Sequence, residues 1–202
     1  MTTLINQKQV DGAKLYSTRY EFIKTLPQKI SCVEAGVLAG DFALKILENV
    51  EPSIFHLIDP FENLDYFANE YGGTRWDFPE DHYDFVLNRF KKNNNVVLHK
   101  ERFEKFATQQ IELNNKFDFI YIDYEHTYEA TREALWLSSK ILEKNGILGF
   151  NDYNIYENNT KTGEKMGTVP AINDFLFRNP DWHVYAFAFN DNLTSDIYLK
   201  RS

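Results

Sequence analysis

Short apolar segments alternate with longer amphipathic segments along most of this chain, and that alternation does most to limit the folds open to it. The apolar segments are expected to be strands: residues 32–35, 54–58, 96–99, 117–122 and 147–150. The segments between them have helical periodicity: residues 41–49, 80–92, 101–113 and 128–144. Most of the apolar segments have no polar face, as expected for strands covered by helices on both sides. The pattern predicts a doubly wound, mostly parallel α/β sheet.

The C-terminal part of the sequence departs from this alternation. A helical pattern over 171–177 is followed by two strand patterns, WHVYAFAF and SDIYLK, with only a short turn-like segment between them. Two strands joined in this way are typical of an antiparallel hairpin. We therefore expect a Rossmann-like sheet of seven strands, mostly parallel, with a C-terminal antiparallel hairpin and helices on both faces.

The length of the chain favours a single domain. Its 202 residues suffice for one core, whereas two domains of about half that length would each bury less surface. We expect one domain over residues 1–202, with an N-terminal helical extension over about 1–27. Two irregular stretches, about 63–79 and 153–168, follow the carboxyl ends of strands, where open α/β sheets bind ligands. They are expected to be substrate loops, although ordinary surface loops would have a similar composition.

Composition excludes several kinds of partner. A net charge of −8, with no dense Lys/Arg run, disfavours binding to nucleic acid or to anionic membrane surfaces. No apolar stretch approaches the ~20 residues that span a bilayer, and the N-terminus lacks the apolar run of a secretory signal. The single cysteine, Cys32, cannot form an internal disulfide and is expected to pack in a strand. A cytoplasmic protein is therefore expected, and its oligomeric state is left open.

A glycine-rich turn follows the first predicted strand. Gly36 follows this strand, and Gly40 immediately precedes Asp41, where the next helix is expected to begin. Glycines permit a left-handed backbone and close approach of a ligand, and the helix N-terminus directs amides toward it. Asp59 ends the second predicted strand, about twenty residues on, where a carboxylate can bind both hydroxyls of a ribose. The alternatives are glycines needed for packing alone and an Asp59 that merely starts a turn before Pro60.

A second group of polar residues follows the fourth and fifth predicted strands. Asp123 and the pair Asn151-Asp152 are expected to meet at one edge of the sheet, because neighbouring parallel strands end there. Three oxygen ligands suit Mg²⁺ or Mn²⁺. His126, one helical turn beyond Asp123, is placed to take a proton from a substrate hydroxyl. Alternatively, Asp123 caps the following helix and His126 is a surface or packing histidine.

The segments CVEAGVLAGDFALKILE, IFHLIDPF and KFDFIYIDYEHTYEATREALWLSSKILEKNGILGFNDY resemble class I methyltransferases that use S-adenosylmethionine (SAM). The resemblance is to the small family related to macrocin and mycinamicin sugar O-methyltransferases and cephalosporin hydroxylase-like proteins, and it covers roughly residues 30–155. It implies that Glu34 and Gly36 surround the methionine moiety, that Asp59 binds the ribose, and that Glu101 or its neighbours contact adenine.

The same resemblance assigns roles to the second group. It implies that Asp123 binds a metal ion and that His126 is the base. This sequence departs from the family in two places: Val37-Leu38 occupies the middle of the glycine turn, and Asn151-Asp152 stands where the family has Glu-Asp. One negative charge fewer should weaken a metal site.

The leading hypothesis is therefore a SAM-dependent methyltransferase that acts on an oxygen of a small hydroxylated substrate, such as a sugar, polyol or phenol, with or without Mg²⁺ or Mn²⁺. Two alternatives are an NAD-dependent oxidoreductase and a non-catalytic module that binds SAM or a nucleotide. The oxidoreductase would share the glycine turn and Asp59 but has no need for the second polar group. Motifs of P-loop enzymes, α/β-hydrolases and zinc sites are absent.

Overall fold

The computed structural model describes residues 3–62, 82–153, 166–190 and 194–202. Its helices are α1 (Gln7–Val10), α2 (Arg19–Ile23), α3 (Asp41–Val50), α4 (His82–Phe90), α5 (Phe103–Glu112), α6 (Tyr128–Ile141) and α7 (Thr168–Arg178). Its strands are β1 (Lys14–Tyr16), β2 (Ser31–Ala35), β3 (Ile54–Asp59), β4 (Val96–Lys100), β5 (Phe117–Ile122), β6 (Leu142–Phe150), β7 (Trp182–Phe189) and β8 (Ser195–Arg201). The first predicted substrate loop, about 63–79, lies outside the described residues. Most of the second, about 153–168, does so too, because residues 154–165 are not described.

The strands form one mixed sheet in the order β1-β7-β8-β6-β5-β2-β3-β4. Strand β8 is antiparallel to both neighbours, β6 and β7, while the other pairs are parallel. The predicted Rossmann-like architecture and its closing hairpin are confirmed. The order places the ends of β2, β3, β5 and β6 side by side at the carboxyl edge of the sheet.

The described residues form eight strands, one more than the seven predicted. The N-terminal segment is not wholly helical: β1 pairs in parallel with β7, with Lys14 opposite Ala186 and Tyr16 opposite Ala188. Three residues are too few to show a periodic pattern, and the hydrogen-bonding partner lies about 170 residues away in sequence. A local pattern therefore could not reveal this strand.

Strand β6 also begins earlier than expected. The helical pattern predicted over 128–144 ends at Ile141, and Leu142 already has extended backbone angles and pairs with Phe117. The register then shifts before Phe119 pairs with Ile147. Pairing with β5 thus overrides local helical preference over these residues.

Two apolar layers cover the two faces of the sheet. On one face Val33 and Ile120 pack with Phe106, Leu135 and Ile172 from helices α5, α6 and α7. The opposite face has its own cluster, which includes these residues: Cys32, Phe22, Ile46, Phe55, Val86 and Phe119. Burial raises the pKa of the Cys32 thiol, which suits the packing role predicted for it. Among the described residues no helix is long and apolar enough to cross a bilayer.

Candidate active site

The glycine turn lies between β2 and α3, against the end of β5. Gly36 has φ +88°, and its amide donates a 2.9 Å hydrogen bond to the carbonyl of Ile58. A Cβ at this position would collide with the main-chain carbonyl of Asp123. Gly40 has φ +81°, precedes α3, and lies against the ring of Phe90. Packing alone therefore requires both glycines, whatever ligand the turn binds.

Asp59 fastens this turn from the neighbouring strand. Its Oδ2 accepts hydrogen bonds from the amides of Val37 at 2.9 Å and Leu38 at 3.3 Å. Its Oδ1 accepts one of 2.7 Å from the amide of Phe61. The structure therefore places Asp59 beside the glycine turn, as expected, and also gives it a structural task there.

Glu34, near the end of β2, has a buried carboxylate oxygen that accepts no hydrogen bond among the described residues. The residue is 2% exposed, and this oxygen is its Oε2. Burial, with the nearby negative charge of Asp123 adding to it, raises the pKa of Glu34 well above its usual range. A buried carboxylate oxygen without a donor is costly, so a cationic or hydrogen-bonding ligand group would stabilise it.

Glu101 lies at the same edge, one strand further out. It follows Lys100, which pairs with Asp59 across β3 and β4. Its carboxylate lies 3.0 Å from Nζ of Lys105 and 3.6 Å from Nδ1 of His99. The strand order thus puts Glu34, Asp59 and Glu101 along one side of the carboxyl edge.

The second predicted group does come together. Nδ2 of Asn151 donates a 2.8 Å hydrogen bond to Oδ1 of Asp123. Nε2 of His126 lies 3.8 Å from Oδ1 of Asp123 and 3.8 Å from Oδ2 of Asp152. The histidine therefore lies between two carboxylates. The helix cap proposed as an alternative for Asp123 is supplied by Thr127.

Arg19 enters this group from α2 and was not predicted from the sequence. Its Nη2 donates a 2.8 Å hydrogen bond to Oδ1 of Asn151, and its Nε donates one of 2.6 Å to Oδ1 of Asn190. Its Nη1 lies 3.9 Å from Oδ2 of Asp123. The side chain of Arg19 is only 16% exposed, so water has little access to its contacts with Asn151, Asn190 and Asp123. No motif marks an arginine on a short N-terminal helix.

The buried carboxylate of Asp196 lies 3.6 Å from Nε of Arg19. Asp196, in β8, accepts hydrogen bonds of 2.9 Å from the hydroxyls of Tyr121 and Tyr198 and one of 2.8 Å from Asn190. Burial raises the pKa of Asp196 to about 6, and the nearby guanidinium of Arg19 opposes that rise. Arg19 also lies over the ring of Tyr121. Alternation along β8 gives no hint that this aspartate is buried.

These contacts do not fit the predicted Mg²⁺ or Mn²⁺ site. Oδ1 of Asn151, an expected ligand, already accepts hydrogen bonds from Arg19 and, at 2.9 Å, from Nδ2 of Asn190. Oδ1 of Asp123 is bonded to the Asn151 amide. Across residues 3–62, 82–153, 166–190 and 194–202, no group of three or more His, Cys, Asp or Glu side chains could hold a metal ion. The metal ligation predicted for Asp123, Asn151 and Asp152 is therefore not supported.

The comparisons decide between the methyltransferase and the oxidoreductase. The family model for a methyltransferase domain matches residues 33–153, which include the glycine turn and the second polar group. The chain belongs to this methyltransferase-domain family. It is a SAM-dependent methyltransferase, and the nicotinamide alternative is set aside.

Solved structures similar to this methyltransferase support the same fold. The O-methyltransferase from Bacillus cereus in complex with SAH is 14% identical, has a TM-score of 0.64, and is matched over 91% of this chain and 80% of that chain. The N-methyltransferase NodS from Bradyrhizobium japonicum is 16% identical, with a TM-score of 0.61 and coverage of 91% and 94%.

A third structure widens the range of acceptors among proteins with this fold. A putative rRNA-methylase from Clostridium thermocellum is 13% identical to this methyltransferase, with a TM-score of 0.61 and coverage of 91% and 95%. No curated protein matches the sequence significantly. Identities this low show the fold alone, so the acceptor has to be argued from the site.

Proposed function

We propose that this methyltransferase transfers the methyl group of SAM to an oxygen of a small hydroxylated acceptor, such as a sugar, polyol or phenol. The observation that carries the proposal is the position of His126, 3.8 Å from one oxygen each of Asp123 and Asp152. A neutral amine attacks a methyl sulfonium without help, whereas a hydroxyl is a poor nucleophile until its proton leaves. An imidazole flanked by carboxylates supplies the base that an oxygen acceptor needs.

The donor is proposed to bind along β2 and β3. The SAM methionyl group carries an ammonium, and the unpartnered Oε2 of Glu34 is an acceptor that suits it. Oδ1 of Asp59, which already accepts a hydrogen bond from the amide of Phe61, would accept one from a ribose hydroxyl, and Glu101 would lie toward the adenine. Gly36 and Gly40 give the turn between β2 and α3 the left-handed backbone that brings it to this edge, since both have a positive φ.

The reaction is an in-line displacement at the methyl carbon. The carbon–sulfur bond breaks as the carbon–oxygen bond forms, the hydroxyl proton passes to Nε2 of His126, and the products are SAH and a methyl ether. Asp123 and Asp152 would stabilise the imidazolium that results, because both carboxylates lie beside it. Holding donor and acceptor in line is expected to be the main contribution of the protein. No step is assigned to a metal.

Net charge argues for a small acceptor over a nucleic acid. The chain has 30 acidic and 22 basic residues, so phosphate backbones are repelled on average. The proposal therefore includes no nucleic-acid partner.

Methyl transfer from radiolabelled SAM to matched sets of acceptors tests this function. The sets are small alcohols and phenols, the corresponding amines, and total RNA. We expect labelled product only with hydroxyl compounds, and loss of that product in His126→Ala. Transfer to the amines or to RNA, with none to the hydroxyl compounds, would contradict the proposed acceptor class while leaving SAM binding intact.

A further inference from the structure

The guanidinium of Arg19 lies at the carboxyl edge of the sheet, where it contacts Asn151. We infer that Arg19 takes the place that a divalent metal ion was expected to have, so that this methyltransferase works without a metal at Asp123, Asn151 and Asp152. The inference rests on the proposed function only where it concerns turnover. Its part on metal binding stands independently.

The side-chain oxygen of Asn151 is already occupied by hydrogen bonds. A metal ion at this site would need Oδ1 of Asn151, which accepts hydrogen bonds from Arg19 at 2.8 Å and from Asn190 at 2.9 Å. An amide oxygen that already has two N–H donors has no lone pair left for a cation. The neutral side chain of Asn151 therefore binds the guanidinium of Arg19 in place of a metal ion.

The charge of Arg19 also bears on Asp123. Nη1 of Arg19 lies 3.9 Å from Oδ2 of Asp123, and Oδ1 of Asp123 lies 3.8 Å from Nε2 of His126. The guanidinium thus places a positive charge beside the carboxylate that neighbours His126. A divalent ion would do the same by electrostatics alone, so the two cations are alternatives.

The side chain of Arg19 is also held rigidly. Arg19 is fixed by Asn190 through Nε and lies 3.6 Å from Oδ2 of the buried Asp196. Its guanidinium also lies over the ring of Phe42, in the first turn of α3. Contacts to three separate elements hold the charge in one place, as metal coordination would. Among the described residues Nη1 makes no hydrogen bond, and it lies 3.9 Å from Asp123. We assign Arg19 the role of a positioning residue.

Metal binding is the first test, and it does not depend on activity. Wild-type protein is titrated with Mn²⁺ alone, and free Mn²⁺ is followed by electron paramagnetic resonance. We expect no bound Mn²⁺ at sub-millimolar concentration and the same melting temperature with and without EDTA. One bound ion per chain that is lost in Asp123→Asn would overturn the inference.

A double variant tests whether Arg19 and a metal compete for the same atoms. Arg19→Ala/Asn151→Asp removes the guanidinium and adds the missing negative charge, so Mn²⁺ is expected to bind. Circular dichroism and a melting curve establish that the variant is folded. A folded double variant that binds no Mn²⁺ would refute the proposed exchange of cations.

Turnover provides the final test. Arg19→Gln should reduce kcat by about 100-fold while SAM affinity changes less than about twofold. Arg19→Lys should recover part of kcat, because the charge is kept but the two-nitrogen contact to Asn151 and Asn190 is lost. Arg201→Gln, which removes an exposed arginine paired with Asp181, is the matched control and should be neutral. Equal effects of Arg19→Lys and Arg19→Gln on kcat would contradict a role for the charge.

Discussion

A Cβ atom on Gly36 would lie 1.8 Å from the carbonyl oxygen of Asp123, which is far inside contact distance. The turn that is proposed to bind the donor and the strand end that carries the acceptor chemistry are therefore packed backbone to backbone. No rotamer change can relieve a clash between main-chain atoms, so this contact fixes the distance between the two halves of the site.

The first prediction follows from this contact. Gly36→Ala should destabilise the protein by more than about 3 kcal/mol, since it adds a backbone clash to an unfavourable positive φ. Gly12→Ala is the matched control, because Gly12 also has a positive φ but nothing within 4 Å of the added carbon. It should cost about 1 kcal/mol. Urea unfolding measures both, and equal costs would show that the clash is relieved.

The second prediction concerns the ribose. Asp59→Ala should weaken SAM binding by about 1–3 kcal/mol, because a ribose hydroxyl loses its acceptor. Isothermal calorimetry measures the affinity. Asp41→Ala, at an exposed position in the first turn of α3, is the control and should bind SAM normally. The variant also loses the acceptor for the amides of Val37 and Leu38, so its melting temperature is measured alongside. Unchanged affinity in a folded Asp59→Ala would exclude the ribose assignment.

The third prediction links donor binding to a proton. Burial raises the pKa of the Glu34 carboxyl and so favours its protonated form in the free protein. A bound ammonium would lower that pKa, so a proton should be released on binding and SAM affinity should rise with pH up to the pKa of the free protein. Calorimetry in buffers of different ionisation enthalpy detects the release. Glu34→Gln should abolish it, and an identical buffer dependence in that variant would rule out Glu34 as the source.

The fourth prediction concerns the base. His126→Ala should reduce kcat by roughly 10²–10⁴ with little change in SAM affinity, because the imidazole acts only on the acceptor. His183→Ala is the control, since His183 lies in β7 and its imidazole contacts Ser202 instead of the site. A wild-type rate for His126→Ala would remove His126 from the reaction.

The fifth prediction concerns a histidine pair away from the reaction. Nδ1 of His56 lies 2.9 Å from Nε2 of His99, and burial together with His99 lowers the pKa of His56 to about 4. The unfolded chain therefore binds more protons between about pH 6.5 and 4, and stability should fall as pH falls through that range. The expected loss is on the order of 1–2 kcal/mol, because partial exposure reduces the full effect. Urea unfolding at several pH values should show a flatter profile for His56→Phe, and an unchanged profile would disprove the assignment.

The sequence was sufficient for the parts of the site that follow from strand order. Asp123 and Asn151 end neighbouring parallel strands, so their meeting could be inferred from the alternation of strands and helices alone. Arg19 and Asp196 could not be inferred in this way, because each reaches the site from a distant segment through tertiary packing. Asp196 lies in β8, and the strand pattern SDIYLK gives no sign that this aspartate is buried.

The predicted metal site also depended on a tertiary contact that the local sequence does not show. The residue types and spacing of Asp123, Asn151 and Asp152 suit a divalent ion, and nothing local distinguishes a metal from an arginine as the cation. The distinction depends on which donors reach Oδ1 of Asn151, and those donors are Arg19 and Asn190. The substitution of Asn for the usual Glu was the one local sign that the charge balance had changed.

The short strand β1 gives the N-terminal segment two tasks at once. It covers the outer edge of β7, and Arg19 follows three residues after its last residue, Tyr16. A protease that cut between Tyr16 and Arg19 would release Lys14–Tyr16 and leave the whole family-matched region, residues 33–153, intact. Yet it would uncover a row of unpaired backbone groups on β7, the kind of surface along which chains stick together. Loss of β1 would therefore yield a self-associating protein in which the segment that carries Arg19 has lost one of its attachments to the sheet.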